Sequence, residues 1–234
     1  MRNFIKTYFE GIIAVMYPHT CLSCGQPLVK GEEYACSECM YQVRRTDYHL
    51  QKENPVAQLF YGRIDLVFAT SYFGFDKGGI FQKLIHQLKY QNQKEVGEML
   101  GQHMGMGLKN SPFLPAVDAI IPVPLHKKKA KKRGYNQSEH IAIGLASVMK
   151  TKVDTSTLLR ISYSGSQTKL SREKRWDNVA ESFALSDKET LKGQHVLLVD
   201  DVLTTGATIE ACYQVLSETE DIKISVATLA RAQM

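Results

Sequence analysis

The sequence predicts an α/β protein: a parallel sheet with helices on both faces, preceded by a small four-cysteine module. Apolar or β-branched runs at 64–75, 117–121, 196–199 and 222–229 alternate with stretches whose apolar residues recur at helical spacing. Such alternation favours parallel strands joined by crossover helices. The module rests on a separate observation, two C-x-x-C pairs near the N-terminus.

Cys21 and Cys24, and Cys36 and Cys39, form those pairs, eleven residues apart. The chain shows no export signal, so disulfides are a poor reading. Each pair can present two thiolates from a tight turn, and two turns close a tetrahedral sulfur site that suits structural zinc. Four reduced cysteines that coordinate nothing are the alternative. The expected divisions are an amphipathic helix over 1–17, the zinc module over 18–50 and the α/β domain over 51–234. So small a module has little core of its own, and metal binding would supply most of its folding energy. Zinc ribbons serve nucleic acids or proteins, and the residues do not choose between them.

Leu50 to Pro55 is polar and reads as a linker. Ile64 to Phe75 reads as strand or hairpin. Lys77 to Tyr90 places Ile80, Phe81, Leu84, Ile85 and Leu88 on one helical face. Glu95 to Met106 reads as a second helix, with glycines at 97, 101 and 105 giving one smooth face for close packing, at some cost in propensity. Ser111 to Pro115 breaks the chain. Val117 to Ile121 is a short strand ended by Pro122 and Pro124, neither of which can donate to a ladder. Asn136 to Lys150 is helical. Val196 to Val199 is a continuous apolar strand, Gly206 to Ser217 a helix and Ile222 to Leu229 a last strand. Cys212 shares a helical face with Ile209 and Leu216 and belongs to the core.

The 234 residues are 44% hydrophobic and 23% charged, as in globular proteins. No run of eighteen apolar residues is present, so no membrane span is expected. Residues 1–17 lack the cleavage site of a signal peptide, and a cytoplasmic location follows by default. The net charge is +5 from 29 basic and 24 acidic residues. Six positives fall in seven positions: Lys127, Lys128, Lys129, Lys131, Lys132 and Arg133. So local a cluster points to a polyanion or a phosphate-rich ligand.

The richest stretch is VLLVDDVLTTGAT, Val196 to Thr208. Ligands of open α/β sheets sit beyond the carboxyl ends of strands. Thr204, Thr205, Gly206, Ala207 and Thr208 run from such an end into a helix N-terminus. Its first N–H groups lack intrahelical partners and its dipole favours an anion. Hydroxyls add donors, and Gly206 lets the backbone approach closely. The sum is a phosphate cradle. Asp200 and Asp201, after Val199, repel each other unless something positive or donating lies near. A ribose diol or a magnesium ion meets that need. A phosphorylated ribose satisfies carboxylates and cradle together. No P-loop and no G-x-G-x-x-G is present. A plain acidic strand end capped by Thr205 would leave both aspartates unexplained.

VLLVDDVLTTGAT resembles the ribose-phosphate loop of type I phosphoribosyltransferases, which bind 5-phosphoribosyl 1-pyrophosphate (PRPP). IIPVPLHKKKAKKRGYNQ, Ile120 to Gln137, resembles the P-V-P-L…R-G-[FY]-N-Q segment of the ComF (ComFC) competence family. The four-cysteine module, L-K-Y at 88–90, and Gln167, Leu170, Arg175, Asn178 and Phe183 agree with it, so the resemblance spans nearly the whole chain. It implies a type I phosphoribosyltransferase-like sheet with an N-terminal zinc ribbon. By position, Asp200 and Asp201 would hold the ribose hydroxyls and the magnesium they face, 204–208 would hold the 5′-phosphate, and Val199 would belong to the same PRPP site. Val123, Pro124, Leu125 and His126 would meet the pyrophosphate. Lys169, Arg172, Lys174 and Arg175 resemble the lid loop that closes over PRPP and excludes water.

For the basic run three readings stay open: extra charge for the pyrophosphate, contact with single-stranded DNA, or a solvated loop. Six positives in seven positions exceed the need of one pyrophosphate and favour the longer polyanion. Trp176 belongs to the core, to a DNA stacking platform or to the lid. The family resemblance implies work in natural transformation, on incoming single-stranded DNA, beside a ComFA-type helicase-like ATPase. The other expectation is a working phosphoribosyltransferase with an acceptor held by a hood before Ile64.

Overall fold

The computed structural model describes residues 19–161 and 183–232. Among them, in chain order, the strands are β1 (Phe68–Gly74), β2 (Ala119–Pro122), β3 (Lys152–Val153), β4 (Leu158–Arg160), β5 (Phe183–Leu185), β6 (His195–Leu203) and β7 (Lys223–Arg231). The helices are α1 (Ser37–Gln42), α2 (Pro55–Phe60), α3 (Ile80–Tyr90), α4 (Lys94–Leu108), α5 (Lys127–Arg133), α6 (Gln137–Met149) and α7 (Ala207–Leu216). The main sheet has the order β1-β7-β6-β2-β3, and every neighbouring pair is parallel. β4 and β5 form a separate antiparallel pair.

Side-chain alternation along β6 divides the core in two. Leu197 and Val199 join α3, α4 and α6 on one face. Val196 and Leu198 join α2 and α7 on the other. Both faces are therefore covered, as the apolar runs predict. Cys212 is fully buried beside Ile209 and Leu216.

The smooth face of α4 has a partner. A Cβ at Gly101 would collide with the Ile141 carbonyl oxygen, and one at Gly144 with that of Glu98. Glycines on both α4 and α6 let the two backbones touch.

Several elements differ from the sequence expectation. Of the two readings for 64–75, strand or hairpin, β1 is the strand; it covers only Phe68–Gly74, and β7 supplies its parallel partner. The stretch read as a linker holds Asn54, which is 0% exposed. Its Nδ2 donates to the Gln51 and Ala69 carbonyls, and its Oδ1 caps α2 at Val56 and Ala57. β6 runs four residues past Val199, because β7 continues to pair with it as far as Leu203. The basic run is helix α5 rather than a loop. The helix expected over 1–17, Trp176 and the lid residues 169–175 lie outside the described residues.

The cysteine module shares the domain's core. Cys21, Ala35, Cys39 and Val43 are buried in one cluster with α3 and α4. Beyond it, Gly74 N–H donates to the Arg44 carbonyl and Thr46 N–H to that of Tyr72. Residues 44–46 thereby cover the open edge of β1.

Candidate functional site

The two aspartates sit on the extension of β6. β2 pairs with β6 only as far as Val199, so past that point β7 alone flanks the strand. Adjacent strand residues point to opposite faces, and the two carboxylates part accordingly.

Asp201 turns inward and is 5% exposed. Its Oδ2 lies 2.9 Å from Lys89 Nζ and accepts from Gln137 Nε2 at 2.9 Å. Asp200 is half-buried. Its Oδ1 accepts from Ser138 Oγ and from the Asp201 N–H, each at 2.9 Å. Burial, with the Asp201 charge second, pushes the Asp200 carboxyl up to about 7, against those two hydrogen bonds.

The R-G-Y-N-Q segment builds this arrangement. The Tyr135 hydroxyl donates to the Leu88 carbonyl and so ties α6 to α3, beside Lys89. Asn136 caps α6 through Ser138 N–H, while its Nδ2 donates to the Val123 carbonyl. Gln137 and Ser138 are then the first residues of α6, aimed at the two aspartates.

The cradle follows β6. Asp200 and residues 202–209 line one cavity. Thr204 and Thr205 are exposed, and Ala207 and Thr208 half-buried. Gly206 precedes α7 at φ +86°, and a Cβ there would lie 2.8 Å from Phe60 Cε1. Only glycine meets both conditions without strain. Arg63 holds the loop from outside, donating to the Thr205 carbonyl at 3.2 Å and pairing with Glu210.

The loop after β2 offers less than expected. The Val123 N–H is occupied by the Val199 carbonyl at 2.8 Å, and Pro124 has no N–H. Neither residue can therefore donate an amide to an anion, and the loop goes on through Leu125 and His126 into α5. In α5, Lys129, Lys131 and Lys132 are exposed and Arg133 is half-buried. Arg133 lies over the Tyr90 ring, 5.5 Å from its centroid. Lys127 and Lys128 belong to the same helix.

The cysteines converge. The Sγ atoms of Cys21, Cys24, Cys36 and Cys39 all lie within 4.8 Å of one another, and those of Cys24 and Cys36 are 3.7 Å apart. A tetrahedron with metal–sulfur bonds of about 2.3 Å has edges of about 3.8 Å, so the set fits such an ion. The Cys36 N–H donates to Cys21 Sγ and the Cys39 N–H to Cys36 Sγ, as suits thiolate acceptors.

The partners of Asp201 and Asp200 are what the sequence left unnamed. Lys89, Gln137 and Ser138 lie 112, 64 and 62–63 positions from them. In the sequence L-K-Y and R-G-Y-N-Q are motifs of the resemblance, and nothing local ties Lys89, Gln137 or Ser138 to the aspartates.

A phosphoribosyl transferase domain model matches residues 131–233. Competence protein F of Haemophilus influenzae is 31% identical over 153 residues, 64% of this chain and 67% of that protein. The chain belongs to the ComF family. Two relatives extend the ComF match across 92% of it. The DNA utilization protein YhgH of Escherichia coli O6:H1 is 28% identical over 229 residues, 97% of its length. Competence protein ComFC of Bacillus subtilis is 27% identical over 217 residues, 78% of its length. Among the described residues of this ComF chain, no helix is long and apolar enough to cross a membrane.

Proposed function

We propose that this chain handles incoming single-stranded DNA during natural transformation and holds magnesium-bound PRPP between Asp200 and the 204–208 cradle. The observation that carries the reading is the division of the carboxylates. Lys89 and Gln137 hold Asp201 inside, while Asp200 faces one cavity with the loop and the start of α7. A ribose diol, or the magnesium that accompanies PRPP, suits Asp200, and the 5′-phosphate suits the amides and hydroxyls of 204–208. The loop after β2, with the Leu125 amide, would meet the pyrophosphate. The names of the ComF relatives support the uptake role.

The four cysteines would hold one structural zinc, and α5 would meet the DNA backbone. The module is assigned to 18–50 and the ribose-phosphate domain to 51–234. A ComFA-type ATPase is the expected partner, in the cytoplasm. Calorimetry with PRPP and magnesium, on the parent chain and on Asp200→Asn, tests the pocket. Absence of binding to the parent chain removes the PRPP half of the proposal.

A second reading, turnover, has its own observation. A cavity of about 580 Å³ lies among Lys52, Glu53, Ala57 and residues 60–69. It includes Phe60 and Arg63, two of the side chains against the 204–208 loop. An acceptor lodged there would take the ribosyl group at C1′ as pyrophosphate leaves, with positioned charge as the main contribution. Release of pyrophosphate that requires a nucleobase would show it.

A further inference from the structure

Outside the pocket, α3 presents a second surface. Lys83, His86 and Tyr90 recur at i, i+3 and i+7, and all three are exposed. The opposite side of α3 buries Phe81, Leu84, Ile85 and Leu88. Tyr90 is 61% exposed, a large degree for an aromatic ring at a helix end. The His86 ring packs beside it, 5.0 Å between centroids. Arg133 Cζ lies over the same ring, 5.5 Å from its centroid, so the C-terminal turn of α5 abuts Tyr90. Lys129 lies one turn, about 6 Å, back from Arg133 on the same face, and Lys132 is its neighbour.

Each of the two segments that meet here carries charge of one sign. No acidic residue occurs from Lys77 to Lys94, nor from Ala119 to Ser138. Those two acid-free stretches are the ones that meet at Tyr90 and Arg133. Proteins that bind single strands pair a positive track for the backbone with aromatic rings on which bases stack. A duplex keeps its bases stacked on one another and offers none to an isolated ring.

We propose that Tyr90, with His86 beside it, is a base-stacking platform for single-stranded DNA, and that α5 tracks the phosphates of the same strand. The proposal rests on the DNA-handling reading above and adds the aromatic half of the site. It can be tested by fluorescence anisotropy with an oligothymidylate of about 20 nucleotides at low salt. Tyr90→Ala should weaken binding about tenfold, while Tyr90→Phe stays within about twofold. Replacing Lys129 and Lys132 with Gln should lower the salt dependence of the Tyr90→Phe and parent chains alike. An oligonucleotide carrying 5-iododeoxyuridine should photocrosslink to Tyr90 in the parent chain. If Tyr90→Ala binds like the parent and the crosslink falls on other residues, the platform is wrong and the DNA reading stands. If the parent chain binds no single strand at all, both fall.

Discussion

Lys89 Nζ lies 2.9 Å from Asp201 Oδ2, between a helix and a strand 112 positions apart in the sequence. The contact answers the repulsion between adjacent carboxylates at one of the two. Asp201 becomes part of the scaffold, and Asp200 is the carboxylate that the proposed ligand would meet.

Lys89→Met should therefore act on stability before it acts on binding. It leaves Asp201 buried without its cation, a change that costs about 3 kcal/mol in other buried pairs. Urea denaturation should show a midpoint well below the parent's. Adding Asp201→Asn to Lys89→Met should recover much of the loss, because the unpaired charge is then gone. No loss in the single variant would show that the pair contributes nothing.

Asp200 should give a pH signature. Its folded value of about 7 lies above the unfolded value of about 3.9. The protonated group therefore contributes stability that is complete below about pH 4 and is lost as pH rises through 7. Ligand binding should run the other way. Magnesium or a ribose diol favours the ionised carboxylate, so PRPP affinity should rise from pH 5.5 to 8. Asp200→Asn should flatten both trends, read by thermal unfolding and by titration at each pH.

Two glycines test packing. Gly144→Ala places a methyl group against the Glu98 carbonyl oxygen, a backbone atom that cannot turn aside. A loss of about 3 kcal/mol is expected, at the upper end for overpacking. Gly206→Ala meets a left-handed backbone and Phe60 together. It should cost about 1–2 kcal/mol from the backbone alone and weaken PRPP binding as well. Chemical denaturation of the two variants measures the first effect, and calorimetry on Gly206→Ala the second.

Metal removal should be felt beyond the cysteines. One zinc per chain is expected by elemental analysis. Chelation, or Cys36→Ser, should loosen residues 19–45 and release the segment over the β1 edge. Hydrogen exchange should then accelerate at the Thr46 and Gly74 amides, which donate across that junction. Exchange confined to 19–43 would mean that the strap holds without the metal.

Much of the fold was legible because burial on two faces leaves long apolar runs. Val196–Val199 and the helices ending at Tyr90 and Met149 show this. The cradle was legible because glycine and threonines before a helix have few other uses. The end of β6 was not, since strand pairing past Val199 depends on β7 and not on local apolarity. Nor was the role of Lys89, because an ion pair across 112 residues has no local pattern. The proline in P-V-P-L told which residue lacks an amide, but only the β2–β6 register showed that Val123's amide is already occupied. The basic run was legible as charge and illegible as helix, since seven residues with no apolar stripe carry no period.

The most direct test is calorimetric titration of PRPP with magnesium into the parent chain, Asp200→Asn and a folded Asp201→Asn. The division of the carboxylates predicts binding to the parent, a loss of tenfold or more in Asp200→Asn, and a smaller loss in Asp201→Asn accompanied by lower stability. No binding to the parent, or equal losses in the two variants without any change in stability, would contradict it.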